Sequence, residues 1–169
     1  MMNFSIEAHI PSDFNDHARV WIFQSSRLFS MSEAFEIETI LKDHCSGWKS
    51  HGHAVKGYAN LFFGQFIVVM ADETEATVGG CSTDSLFRII KQIEALCKVN
   101  LFDRQMLAFL VKDKIQLLPL AQIKYAASNG HISPTTIYFN NTVGTKKELM
   151  QNWMIPMNES WLAARVSQA

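Results

Sequence analysis

The sequence predicts an α+β domain: a mainly antiparallel sheet with helices packed on one face, in the order β-α-β-β-α-β-β-α-β-α. Three observations predict it. Two pairs of apolar extended runs are joined by short turns, at Gly64-Gln65 and at Lys112-Asp113-Lys114, and short joints impose antiparallel pairing. Other segments place apolar residues at helical spacing behind capping residues. The composition is that of a packed globular chain, with 48% hydrophobic and 18% charged residues and twelve Phe to fill a core.

Each element has its own signal. Residues 1–18 are polar, contain Pro11, and read as an irregular lead-in. Arg19-Val20-Trp21-Ile22-Phe23-Gln24 is aromatic and β-branched, which suits a strand. Ser30 and Glu33 form a capping box opening a helix whose apolar face is Ile37, Ile40, Leu41, Cys45 and Trp48, ending by Gly47-Trp48. A polar break follows over 49–52. Val55 to Phe63 and Phe66 to Asp72 form the first hairpin, and 73–80 a loop. Ser82 or Thr83 then caps a second helix, with Asp84 in its first turn, where the helix dipole favours an acid. Its buried face is expected to be Leu86, Ile89, Ile90, Ile93, Leu96 and Cys97. Met106 to Val111 and Ile115 to Leu118 form the second hairpin. A short helix after Pro119 stops at Asn129-Gly130, and Thr136 to Phe139 is a last short strand. Thr145 and Glu148 repeat the capping-box pattern for a helix reaching Trp153. Pro156 stops it, and the tail carries Trp161.

Length and charge bound the function. The 169 residues suit a single domain over 1–169, large enough to fold without a disulfide or a structural metal. A formal net charge of -1 and no basic stripe give no nucleic-acid signal. Three cysteines, Cys45, Cys81 and Cys97, without CxxC spacing, match no disulfide or zinc-finger framework. Met1 to Phe14 lacks the basic and apolar regions of a signal peptide. The longest apolar run, Phe66 to Ala71, is far short of the roughly 20 residues of a membrane helix. A cytoplasmic chain without a membrane span is the expectation.

The stretch with most chemical promise is Val78-Gly79-Gly80-Cys81-Ser82-Thr83-Asp84. Two glycines permit a tight turn, and the helix start behind them exposes free N–H groups that suit an anion. The same position lowers a thiol pKa, which would make Cys81 a nucleophile. The plainer reading is a glycine-rich loop with Cys81 as a small buried residue. The stretch is not a Walker A loop, which needs Lys directly after its last Gly; Gly144-Thr145-Lys146 fails for the same reason. No G-x-G-x-x-G opens a helix either.

Other constellations are weaker. His44, Cys45, His51 and His53 carry ligand atoms for zinc, but their spacing matches no strong motif, and neither a metal nor another cofactor is expected. A Cys–His catalytic pair would need Cys81 beside His51, His53 or His131. Asp72, Glu73 and Glu75 read as a solvated hairpin end. Arg104 reads as an ion-pair partner or an anion ligand. Asn140-Asn141 suits a turn, or a pocket walled by the nearby Trp153 and Trp161; those rings equally suit a core or a partner surface.

Arg19 to Ser25, Gly80-Cys81-Ser82-Thr83-Asp84, Phe139-Asn140-Asn141, and Asn152-Trp153 through Ser160-Trp161 together resemble a family of short bacterial proteins often labelled "ABC transporter ATPase". The resemblance covers most of the chain, and its motifs carry no established chemistry. The expected function is a domain that binds a small anionic ligand or a protein partner and is not a P-loop ATPase. Its site would be Gly80, Ser82, Thr83 and Asp84, with Arg104, Asn140 and Asn141 as neighbours. The alternatives are an enzyme with Cys81 as nucleophile and an adaptor using its aromatic C-terminal segment.

Overall fold

The computed structural model describes residues 3–167. Strand β1 (Arg19–Gln24) precedes helix α1 (Met31–Gly47), which is opened by the capping box expected of Ser30 and Glu33. Lys49–Ser50 (β2) and His53–Ala54 (β3) make a small hairpin where the sequence reads only a polar break. Its turn residues His51 and Gly52 both have positive φ. Strands β4 (Lys56–Phe62) and β5 (Phe66–Asp72) form the first long hairpin, and helix α2 (Gly80–Cys97) follows.

The second half holds β6 (Met106–Val111), β7 (Lys114–Pro119), α3 (Ile123–Ser128) and β8 (Ile137–Phe139). It ends with α4 (Lys146–Asn152), β9 (Met154–Pro156) and α5 (Leu162–Ser167). The β6–β7 turn is two residues long. Lys112 and Asp113 are both left-handed, the geometry that matches strand twist.

The α+β class and the antiparallel pairing stand, but the strands divide between two sheets. One has the order β1-β5-β4 and the other β7-β6-β8-β9. They pack face to face, and each carries helices on its outer face. The reason lies in β5, all seven residues of which are buried. Ile67, Val69 and Ala71 face α1 and α2, against Ile37, Leu41, Leu86, Ile90 and Ile93. Phe66, Val68 and Met70 point the other way, against Ala108, Phe139 and Trp153 of the second half. The far face of the second sheet packs Leu107, Phe109 and Tyr138 on Ile123 and Ala126 of α3 and Leu162 of α5.

Several local expectations are corrected. Helix α2 begins three residues early, with Gly79 as N-cap and no side-chain cap. The Ser82 hydroxyl instead donates to the Lys49 carbonyl, and that of Thr83 back to Gly79. Asp84 falls beyond the first turn. Leu96, expected in the core, is 51% exposed, because it lies on the flank beside α1. At α4 the Thr145 hydroxyl accepts from the Glu148 N–H, but the Glu148 carboxylate accepts from Gly144, so the box closes one residue early. The lead-in is tied down: Ile6, Ile10 and Phe14 join the inter-sheet core.

Arg27 links the two outer helices. Its guanidinium is bidentate on Glu33 in the first turn of α1 and also donates to the Cys97 carbonyl at the end of α2. Chiefly through the Arg27 hydrogen bonds, the Glu33 carboxyl is lowered from 4.5 to about 2. A depressed carboxyl contributes stability above its unfolded value and loses it as pH falls through the folded one. Glu33→Gln is therefore expected to be less stable than the parent at pH 7. The difference should shrink between about pH 4.5 and 2. Urea midpoints measured across that range check it; a constant difference would contradict the pairing.

No helix among the described residues is long and apolar enough to cross a membrane.

Candidate functional site

The chain passes from the first sheet layer to the second through the segment 101–106, and a cleft of 390 Å³ opens beside that crossover. Its walls come from both layers: Gln24 at the end of β1, Phe87 on the flank of α2, Phe102 to Arg104 in the crossover, Tyr138 and Asn141 from β8 and its turn, and Trp161 from the tail. The volume lies at the low end of the ~300–1,000 Å³ typical of ligand pockets.

One side is aromatic. Phe23, Phe87 and Phe102 meet edge to face with centroids 5.6 to 6.1 Å apart. Across the opening Trp161 packs on Tyr138 at 6.4 Å. Phe102 and Trp161 are each more than a third exposed and form part of the rim.

The polar side is ordered by one donor. The indole of Trp153, 1% exposed, can only donate, and it donates to Asn141 Oδ1 at 2.9 Å. That turns the Asn141 amide nitrogen toward Gln24 Oε1, which accepts at 3.0 Å. Gln24 Nε2 then donates to the Met106 carbonyl at 3.0 Å. Each amide keeps one N–H with no partner among the described residues.

Two charged groups stand at the cleft. Asp103 Oδ1 accepts the Gln105 N–H at 2.8 Å, closing a turn. Arg104 is exposed, and its guanidinium has no hydrogen-bond or ion-pair partner among the described residues.

The residues singled out in the sequence therefore fall into two places. Arg104 and Asn141 meet in the cleft, and Asn140 holds the adjacent turn by accepting from Thr142. Gly80, Cys81, Ser82, Thr83 and Asp84 open α2 and do not line the cleft, which that helix reaches through Phe87. Ser82 is buried there and committed to Lys49.

Cys81 is exposed rather than buried, and borders a shallow depression with His44, Trp48 and Lys49. The His44 ring lies 4.9 Å from that of Trp48. Its Nε2 is buried without a partner among the described residues, and burial lowers its pKa. His51 Nε2 stands 3.2 Å from where a side chain on Gly79 would begin, so it approaches the same turn. Among the described residues no three His, Cys, Asp or Glu side chains converge as metal ligands. Asp72 is occupied by Thr74 and Asn15, and the Thr74 hydroxyl is the main cause that holds its carboxyl low.

Comparison with protein-family models, with curated proteins and with solved structures returned no match. The site is thus defined by its own geometry. Gln24 and Phe87 carry no sequence signal as cleft residues, since a strand end and a helix flank look the same when they face a core.

Proposed function

We propose that this chain is a small-ligand-binding domain whose ligand sits in the cleft at the inter-layer crossover. The observation that carries the proposal is the meeting of an unpartnered guanidinium, two half-satisfied amides and an aromatic wall around one 390 Å³ space. Among the described lining residues Arg104 is the one cation and Asp103 the one acid; Asp103 already accepts from Gln105, whereas the free fork of Arg104 suits an anionic group on the ligand. Kinship with the short bacterial proteins belongs to the same proposal. P-loop ATP hydrolysis does not, because the sequence supplies no Walker A lysine. A fragment set screened by amide chemical-shift mapping tests it. Hits are expected to perturb Arg104, Asn141 and the Trp161 indole together; hits that gather around Cys81 would overturn it.

A second reading, a cysteine-dependent enzyme, is favoured by the exposure of Cys81 at the start of α2. Burial pushes the thiols of Cys45 and Cys97 up to about 11, so they stay protonated and slow. Iodoacetamide at neutral pH should therefore alkylate Cys81 first, by access alone. The enzyme reading requires more: a rate well above that of N-acetylcysteine at the same pH. Mass spectrometry of the time course decides it, and a rate no faster than the free thiol removes the enzyme reading.

A further inference from the structure

We infer that the cleft selects a planar aromatic ring bearing a single carboxylate. The inference rests on the cleft being the ligand site, and adds the ligand's shape and charge. The volume of 390 Å³ is ample for a ligand of one or two rings. Phe87, Phe102 and Trp161 offer ring edges and faces across the opening. Such surfaces favour another flat π-system, by edge-to-face or offset stacking, over an aliphatic ring of similar size.

Charge narrows the class. The Arg104 guanidinium is a planar fork matched to a carboxylate, and no acceptor among the described residues occupies it. The neighbouring Asp103 carboxylate lines the same cleft and repels further negative charge. One cation beside one anion suits a monoanion and disfavours a phosphate dianion. Farther in, the spare N–H groups of Gln24 and Asn141 call for an acceptor on the far side of the ring, such as a hydroxyl oxygen or a ring nitrogen.

The test is calorimetric titration of the full chain at pH 7.5 with four probes: 4-hydroxybenzoate, 4-hydroxybenzamide, cyclohexanecarboxylate and phenyl phosphate. 4-Hydroxybenzoate is expected to bind saturably, at least tenfold tighter than each of the others. Arg104→Gln should abolish the preference for the acid over the amide. Arg104 is exposed, so unaltered circular dichroism is expected to show the variant folded. Equal binding of acid and amide, or of the aromatic and cyclohexane acids, would overturn the inference, as would no saturable binding of the aromatic acid. If those probes fail while other fragments still map to the cleft, the ligand class is wrong and the site stands. If fragments map elsewhere, both fall.

Discussion

Trp153→Ala is expected to destabilise the chain by about 3–5 kcal/mol, the usual result of truncating a large buried aromatic side chain. The indole is 1% exposed and touches Phe62, Phe63, Phe66 and Phe139, with centroids 5.2 to 6.0 Å away. These rings form the inter-sheet core, so the cavity would open between the two layers. For a domain of this size the melting temperature should fall by roughly 6–20 °C. Trp153→Phe separates packing from hydrogen bonding. It keeps most of the volume but leaves Asn141 Oδ1 without its donor, at a cost of about 1–3 kcal/mol. It should also free the Asn141 and Gln24 amides to reorient beside the cleft. Urea denaturation followed by far-ultraviolet circular dichroism measures both variants. A loss under 1 kcal/mol for Trp153→Ala would contradict its place in the core.

Lys146→Met should be the next most damaging change. A lysine in the first turn of a helix stands at the wrong end of the dipole, and this one is only 8% exposed. Its position is explained by the lead-in. Lys146 Nζ donates to the carbonyls of Pro11 and Phe14 at 2.9 and 2.8 Å, while the N–H groups of Lys146 and Lys147 bond Ala18 and Asp16. The ammonium thus pins residues 11–18 across the inter-sheet core. Methionine fits the space but leaves two carbonyls unpaired. The expected loss is about 2–4 kcal/mol: two hydrogen bonds from a charged group, worth roughly 1.5–3 each, are partly offset because methionine removes the desolvation cost of the buried ammonium. Hydrogen exchange should quicken between residues 6 and 18 before it does elsewhere. Unchanged exchange there would show that the apolar anchors Ile6, Ile10 and Phe14 suffice.

The elements legible in the sequence are those that carry their own signal. The Ser30–Glu33 box and the strands around Gly64 and Lys112-Asp113 depend on neighbours a few residues away. The start of α2 was misleading for a local reason. Ser82 and Thr83 are good capping residues by type, yet their hydroxyls bond to carbonyls, while Gly79 caps through its backbone. Two sheets read as one because β5 is apolar on both faces, and its unbroken run does not say what covers each side. Strand β8 is read over Thr136 to Phe139, but the three-residue β9 exists through its pairing with β8, which no local pattern encodes.

The site divides in the same way. Arg104 and Asn141 stand out by residue type, but their convergence is tertiary. So is the separation of the Gly79–Asp84 turn, none of whose residues lines the cleft. The orientation of Gln24 follows only from its partner Asn141, 117 residues away.

The most direct test of the cleft is a crystal of the chain soaked with 4-hydroxybenzoate and a small set of other fragments. The account predicts density between Phe102 and Trp161, with an acidic group on Arg104 and an acceptor toward Asn141. Density only in the depression at Cys81 and His44, with the cleft empty at saturating fragment, would contradict it.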